Sequence, residues 1–249
     1  MNMLILDESE PGRPLPKSDR RVRHILRILK KQTGDEVLAV IADDGQGPLA
    51  GQVGMAHLDS WDGQHLVLSF RPDRPSPPLH PLTILLGFPR PIQANRILKD
   101  LASLGVARII LSGTELGEKS YFQSDFFKNR EFRTALVEGA EQAANPRLPR
   151  VETSWTITKA LQLIDPAPHA GESGLWALDP YRSEGPFGMA HLASPLVLAI
   201  GSERGWTPGE LDSMAASGFR FANLGDRILK TETAAVSAIS VALARLGYL

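Results

Sequence analysis

No cysteine occurs anywhere in the chain, so disulfides, thiolate nucleophiles and cysteine-ligated zinc or iron–sulfur centres are excluded. That absence suits a reducing compartment. No apolar run approaches the roughly 20 residues needed to span a bilayer. The opening "MNMLILDESEPG" has a short apolar patch followed by acids and lacks the basic start and longer apolar stretch of a signal peptide. The expectation is a soluble, cytoplasmic protein. Several site signatures are also missing. No G-x-G-x-x-G supports a Rossmann dinucleotide site, no G-x-x-x-x-G-K-[ST] a P-loop, and no G-x-S-x-G a nucleophile elbow. The histidines are scattered without an H-E-x-x-H pair, so no metal site is expected. Net charge is −1, with no overall excess of either sign.

An apolar fraction of 43% over 249 residues is enough for one large domain or two modest ones. Charge is uneven along the chain: residues 1–81 hold 10 basic and 11 acidic side chains, residues 82–150 hold 10 and 7, and residues 151–249 hold 7 and 10. Within the first region "RRVRHILRILKK" carries Arg20, Arg21, Arg23, Arg27, Lys30 and Lys31 with no acid among them. A local patch of this kind, and not the total charge, sets the field that a phosphate backbone meets. The competing reading is the solvated face of a surface helix.

Val22, Ile25, Leu26 and Leu29 recur at helical spacing, which predicts a short amphipathic helix from Ser18 or Asp19. "GDEVLAVIA", "LAGQVGMA" and "HLVLSF" read as strands separated by the turns "DDGQG" and "DSWDG", a small all-β module. The stretch "RPDRPSPPLHP" has five prolines between positions 72 and 81 and marks a boundary. The expected organisation is residues 1–72, a linker at 73–81, and residues 82–249.

After the boundary, strands and helices alternate, which argues for a largely parallel α/β sheet. Strands are expected at 82–88, at 107–113 and in "LWALD", "PLVLAIG" and "FRFANLG". Helices are expected at about 92–104, at 125–144 and in "TITKALQLI". "TPGELDSMAASG" forms a further helix, with Thr207 as N-cap, Glu210 completing a capping box and Gly218 at the stop. The last helix starts near Thr231 or Thr233 and carries Ala234, Ala235, Ala238, Ile239 and Ala242, small enough for close packing inside the domain or across a dimer.

Ligands of open α/β sheets gather at the carboxyl ends of the strands, where turns present unpaired N–H groups. The turns "ALDPYRSEG", "IGSERGWTP" and "NLGDRILKTET" each follow an expected strand. Gly201, Gly205 and Gly225 would let main chain approach a ligand, unless they are ordinary turn glycines.

"LAIGSERGWTPGEL", followed about twenty residues later by "NLGDRILKTETAAVSAI", resembles the paired C-terminal motifs of the RsmE family, the small-subunit ribosomal RNA uridine-N3 methyltransferases of the SPOUT superfamily. "RHILRILKKQTGDEV", "LGV" at 104–106 and "EQA" at 141–143 are similar to other runs of that family. The resemblance implies an N-terminal PUA-like β-barrel for RNA at 1–72 and a trefoil-knotted, dimerising domain at 82–249 that binds S-adenosylmethionine. It places Leu178, Asp179, Gly201, Ser202, Glu203, Gly205, Leu224, Gly225, Ile228 and Leu229 around the cofactor. Ser202 and Arg204 stand where the family usually has Pro and Gly, Asp226 where it has Pro, and Lys230 where it has Arg. "ILKDLASLGV" also departs from a K-A-T-E-L-G-like run. These departures bear on substrate choice more than on cofactor binding.

A uracil N3 is a weak acid, so its methylation needs a base or a cation that stabilises the uracil anion. Arg227 is the first candidate for the cation because it stays charged and offers a planar fork of donors. Lys230 and Arg204 are second choices. Glu203 would face the cofactor's positive charge. Glu232 would orient Arg227, or else serve only as a helix N-terminal carboxylate. For RNA, Arg20, Arg21, Arg23, Arg27 and Lys30 would meet phosphates, and Lys119, Tyr121 and Phe122 would anchor and stack an extruded base. Phe126 and Phe127 are expected in the core. The alternative function is an RNA-binding protein of the same fold whose changes at 202, 204, 226 and 230 have abolished or redirected catalysis.

Overall fold

The structure is a computed structural model and describes residues 3–43, 47–164 and 174–249. The expected turn "DDGQG" falls largely outside the described residues. The chain divides into two compact units, Met1–Pro78 with Ala140–Leu148, and Leu79–Gly139 with Pro149–Leu249. No described helix is long and apolar enough to cross a membrane.

The first unit is built on a five-stranded sheet of β1 (Leu4–Leu6), β2 (Pro14–Pro16), β3 (Glu36–Ile41), β4 (Gln52–Trp61) and β5 (His65–Pro75), in the order β1-β3-β4-β5-β2. β1 runs parallel to β3, and the other pairs are antiparallel. Period-two alternation turns Ala56 and Leu58 of β4 and Leu66 and Leu68 of β5 into one core with Leu4, Leu6, Val22 and Ile25. Strand β4 continues through the expected turn "DSWDG" as far as Trp61. The turn itself tightens at Asp62, whose carboxylate accepts from the N–H groups of Gln64 and His65. β1 and β2 were not expected, because three residues are too few to show a period. β5 runs on through Pro72 to Pro75, paired there only with β4, and a strand with one open side tolerates residues that lack an N–H.

The basic helix is shorter than expected. It comprises α1 (Arg20–Arg23), capped by Asp19, and one π-helical turn at His24–Ile28. Lys30 then takes a left-handed conformation (φ 53°), and Lys31 N–H bonds back to the Ile25 carbonyl. The wider turn carries Leu29 out of the apolar stripe: Val22 and Ile25 are fully buried, whereas Leu29 is 43% exposed.

The second unit holds a six-stranded, fully parallel sheet ordered β11-β9-β10-β6-β7-β8. Its strands are β6 (His80–Gly87), β7 (Val106–Ser112), β8 (Arg150–Ser154), β9 (Leu175–Leu178), β10 (Leu196–Ile200) and β11 (Arg220–Ala222). β6, β7, β9 and β10 are near-continuous apolar runs, as parallel strands covered on both faces require. β8, reading "RVETS" at the sheet edge, has no such run and was not expected. The helices are α2 (Pro91–Ser103), α3 (Lys119–Phe122), α4 (Asp125–Lys128), α5 (Phe132–Ala143), whose last residues from Ala140 belong to the first unit, α6 (Ile157–Leu161), α7 (Pro208–Ala216) and α8 (Thr231–Arg245). Ile97, Leu98 and Leu101 of α2 are fully buried, each contributing about 1.5–3 kcal/mol. The helix expected over 125–144 is two helices, because Arg130 turns left-handed between them (φ 55°). α7 has the expected capping box of Thr207 and Glu210. On α8 the small-residue stripe packs inside the chain, where Ala235, Ala238, Ile239 and Ala242 are fully buried.

Candidate functional site

The loops leaving β9, β10 and β11 close on one another at the carboxyl edge of the parallel sheet. Asp179 N–H bonds to the Ala222 carbonyl, Glu184 N–H to the Phe221 carbonyl, and Phe187 N–H to the Asn223 carbonyl, lacing the first loop to the third. Between them lies a cavity of about 710 Å³ whose wall includes Leu178, Asp179, Gly201, Ser202, Glu203, Gly205, Leu224, Gly225, Ile228 and Leu229. All the residues expected around a cofactor are therefore brought together. Asp179 is 6% exposed and accepts from the N–H groups of Tyr181 and Arg182, which fixes its loop as an Asx turn. Ser202 and Gly205 form a tight bridge, with Gly205 at φ 72°, and Gly225 sits at φ 104°. A Cβ at either glycine would meet no protein atom within 4 Å, so both present bare main chain to open space.

A second layer holds the central loop in place. Gly87, the last residue of β6, passes so close beneath it that a Cβ there would lie 2.5 Å from the Ser202 backbone nitrogen. Glu210 is 3% exposed, and it caps Thr207 through one oxygen while accepting Glu115 N–H through the other. Ser202 Oγ and Thr114 Oγ1 are 3.3 Å apart. Arg204 also lines the cavity, and its guanidinium bonds to Glu118 and the Leu116 carbonyl, which fastens the loop. Glu203 accepts the backbone N–H of Arg90 at 3.0 Å.

Arg90 and Gln93, at the start of α2, also line the cavity, as does Trp206. Sequence reasoning singled out none of these three. The signal available was that "FPRPIQ" leaves the carboxyl end of β6, on the same edge as the other loops. Two polar atoms of this wall are buried without a partner, Trp206 Nε1 and Gln93 Oε1, one a donor and one an acceptor. A buried polar group left unpaired is costly, and both atoms are closed off from the cavity.

The catalytic candidates Arg227, Lys230 and Glu232 all line the same cavity. Arg227 is exposed and has no polar partner among the described residues. No ion pair joins it to Glu232, which sits in the first turn of α8, where the helix dipole favours a carboxylate. Lys230 is the N-cap residue of that helix.

The basic segment separates into two kinds of cation. Arg20 forms a bidentate pair with Glu141, 2.8 Å at each bond, and neutralises a carboxylate that is 2% exposed. Arg21, with a side chain 16% exposed, bonds to Glu10, Asp19 and the Ile5 carbonyl. Its hydrogen bonds to Glu10, outweighing burial, hold its guanidinium even more firmly charged than usual. Both arginines are thus paired with acids of the first unit, so phosphates would have to compete with Glu141 for Arg20 and with Glu10 and Asp19 for Arg21. Arg23, Arg27 and Lys30 are exposed. Lys119 is exposed too, whereas Tyr121 receives a hydrogen bond on its hydroxyl from Arg90 Nε at 2.9 Å. Phe122 is not open for stacking, because it packs between Phe88 and Trp155. Phe126 and Phe127 lie together in the aromatic cluster, but only Phe127 is buried as expected, and Phe126 is partly exposed. No group of side chains suited to a metal ion occurs among the described residues.

Three comparisons bear on this site. Residues 75–243 match the model of a family described as the RNA methyltransferase domain. The chain is 35% identical over 253 residues to the ribosomal RNA small subunit methyltransferase E of Treponema pallidum, covering 98% of this chain and 91% of that protein. It is 28% identical over 248 residues to the ribosomal RNA small subunit methyltransferase E 1 of Borreliella burgdorferi, covering 99% of both. Among solved structures, the ribosomal RNA small subunit methyltransferase E of Neisseria gonorrhoeae, bound to S-adenosyl methionine, superposes with a TM-score of 0.72. It is 21% identical, with 98% of this chain and 97% of that one covered.

Proposed function

The chain belongs to the RNA methyltransferase family of ribosomal RNA small subunit methyltransferase E, and from that membership we propose that it transfers a methyl group from S-adenosylmethionine to N3 of a uridine in 16S ribosomal RNA. The observation that carries this reading is the convergence of the three loops after β9, β10 and β11 on one cavity. Its volume lies within the usual range for a nucleotide-sized ligand. Its bare main chain suits an adenosine, which offers both donors and acceptors to backbone groups. Asp179, Gly201, Ser202, Gly205, Leu224, Gly225, Ile228 and Leu229 would hold the cofactor. When bound, it supplies an electrophilic methyl group on a sulfonium.

The protein's own part is positioning and charge. Arg227 lies in the cavity wall with its donors uncommitted, where it stabilises the uracil anion that forms as the N3 proton passes to water and the methyl group is taken from the sulfonium. Lys230 adds a second positive charge on the same wall. Glu203 spends one oxygen on Arg90 N–H and keeps the other for a positive group in the cavity. The tied loops hold these residues in one geometry, which is the larger part of catalysis for an in-line transfer.

The same reading assigns residues 1–72 to a PUA-like barrel that meets RNA through Arg23, Arg27 and Lys30 and residues 82–249 to a trefoil-knotted SPOUT domain, with only residues 76–79 of the expected 73–81 linker lying outside strands. It includes a cytoplasmic homodimer. Sedimentation of the purified chain tests it. Mass spectrometry of 16S ribosomal RNA from cells lacking the protein tests the activity. One uridine N3 methyl group should be missing and should return on complementation, and an unchanged methylation pattern would contradict the reading.

A further inference from the structure

Trp155 is 55% exposed, in a chain whose other tryptophans in this unit, Trp176 and Trp206, are 2% and 6% exposed. It follows Ser154, the last residue of β8, and so stands on the same carboxyl edge of the parallel sheet as the cavity loops. We propose that Trp155 is a stacking platform for a base of the single-stranded RNA that delivers the target nucleotide to the methyl-transfer cavity. This rests on the methyltransferase reading above.

The platform is rigid. Phe122 supports the indole with ring centroids 3.7 Å apart, Phe88 supports Phe122 edge-on at 4.7 Å, and Phe127 supports Phe88 at 4.8 Å. Phe88 is 3% exposed, which anchors the stack in the core. The backbone on either side of Trp155 is equally fixed. The Ser154 carbonyl accepts Gly113 N–H, and the Thr156 side chain caps α6. An aromatic ring held this firmly with much of its surface in water loses little conformational freedom when a base lies on it.

The platform also leads to the cavity. Phe88 is two residues before Arg90, which lines the cavity, and Arg90 Nε bonds to the hydroxyl of Tyr121, the neighbour of Phe122. Arg90 and Lys119 are exposed cations along this path, available to the phosphates that flank a stacked base. Because every base has a π-face, such a platform positions RNA without reading its sequence. The choice of uridine is left to the cavity.

The test uses the full chain, S-adenosylmethionine and a short unstructured oligouridylate. RNA should quench the intrinsic fluorescence of the wild type. Trp155→Phe should lose most of that quenching while keeping RNA affinity within about threefold, and Trp155→Ala should weaken RNA binding about tenfold. In both variants S-adenosylmethionine affinity should be unchanged. Wild-type RNA affinity in Trp155→Ala would overturn the proposal. So would a variant that changes the oligomeric state and leaves RNA affinity intact, since the indole would then belong to a contact between copies. Failure of the wild type to bind S-adenosylmethionine would contradict the methyltransferase reading, and the RNA measurements would still judge the platform.

Discussion

The carboxylate of Glu203 accepts the backbone N–H of Arg90, and this one bond joins the start of α2 to the central cavity loop across 113 residues of sequence. A proline at position 91 gives the helix its first turn. The N–H just before it would otherwise face solvent. Replacing Glu203 by Ala removes the fastening and should weaken S-adenosylmethionine binding about fivefold, the worth of one exposed charge-assisted hydrogen bond. Glu203→Gln keeps the bond to Arg90 but loses the charge on the oxygen that faces the cavity, so its affinity should fall between those of wild type and Glu203→Ala. Equal losses in the two variants, read by calorimetry, would show that charge and not the bond matters.

Arg227 is argued to act on the reacting base and not on the cofactor. Arg227→Ala should therefore leave S-adenosylmethionine affinity within a few-fold and lower methyl transfer about 100-fold or more. Radiolabelled transfer under single-turnover conditions separates the two effects. Near-normal turnover would remove Arg227 from the mechanism.

Gly87 lines no part of the cavity yet controls it. A Cβ there would approach the Ser202 backbone nitrogen to 2.5 Å and Thr114 Cγ2 to 2.9 Å, and main chain cannot yield cheaply. Gly87→Ala should displace the central loop and weaken S-adenosylmethionine binding at least about tenfold, in line with ordinary overpacking costs. Unchanged affinity in a folded variant would show that the loop tolerates the shift.

The cations of the first unit should divide by role. Arg23→Ala, Arg27→Ala and Lys30→Ala combined should reduce the dependence of log K for RNA on log salt by about 2, since each phosphate contact to a single strand contributes about 0.7. Arg21→Ala should instead destabilise the fold by about 3 kcal/mol at neutral pH, because it strands two partly buried carboxylates. Thermal denaturation and salt-dependent binding tell these outcomes apart.

The same cluster gives a pH dependence. For Glu10 and Asp19, burial opposes ionisation, but the hydrogen bonds and charge of Arg21 outweigh it and hold both carboxyls below their ordinary pKa. Folded values below unfolded ones mean that the unfolded chain takes up protons first as pH falls. The stabilisation is then complete above the ordinary carboxylate range and lost as pH drops through the folded values, below about pH 4. The stability gap between wild type and Arg21→Ala should be widest near neutrality and narrow in acid. A gap that stays constant across pH would contradict this assignment.

How much of this was legible in the sequence depended on the range of each interaction. The apolar runs of β6, β9 and β10, and the Thr207–Glu210 capping box, are local signals and appear where expected. Polar β8 and the three-residue β1 and β2 have no local signal, because their pairing partners define them. Arg130 breaks a continuous helical pattern through a backbone conformation that its residue type disfavours, so no propensity announces it. At the site, the glycine-rich turns were legible because they share motifs and follow strands. Arg90, Gln93 and Gly87 were not, since their importance arises only where β6 meets the loop after β10. Likewise the row of cations in 20–31 could not disclose that Arg20 and Arg21 already have acids opposite them.

The central proposition is that three strand-end loops enclose one methyl-donor site, and calorimetric titration of the purified chain with S-adenosylmethionine tests it most directly. The expected result is saturable binding of one S-adenosylmethionine per chain, weakened by Gly87→Ala. No heat at millimolar ligand, or binding indifferent to that substitution and to Glu203→Ala, would contradict it.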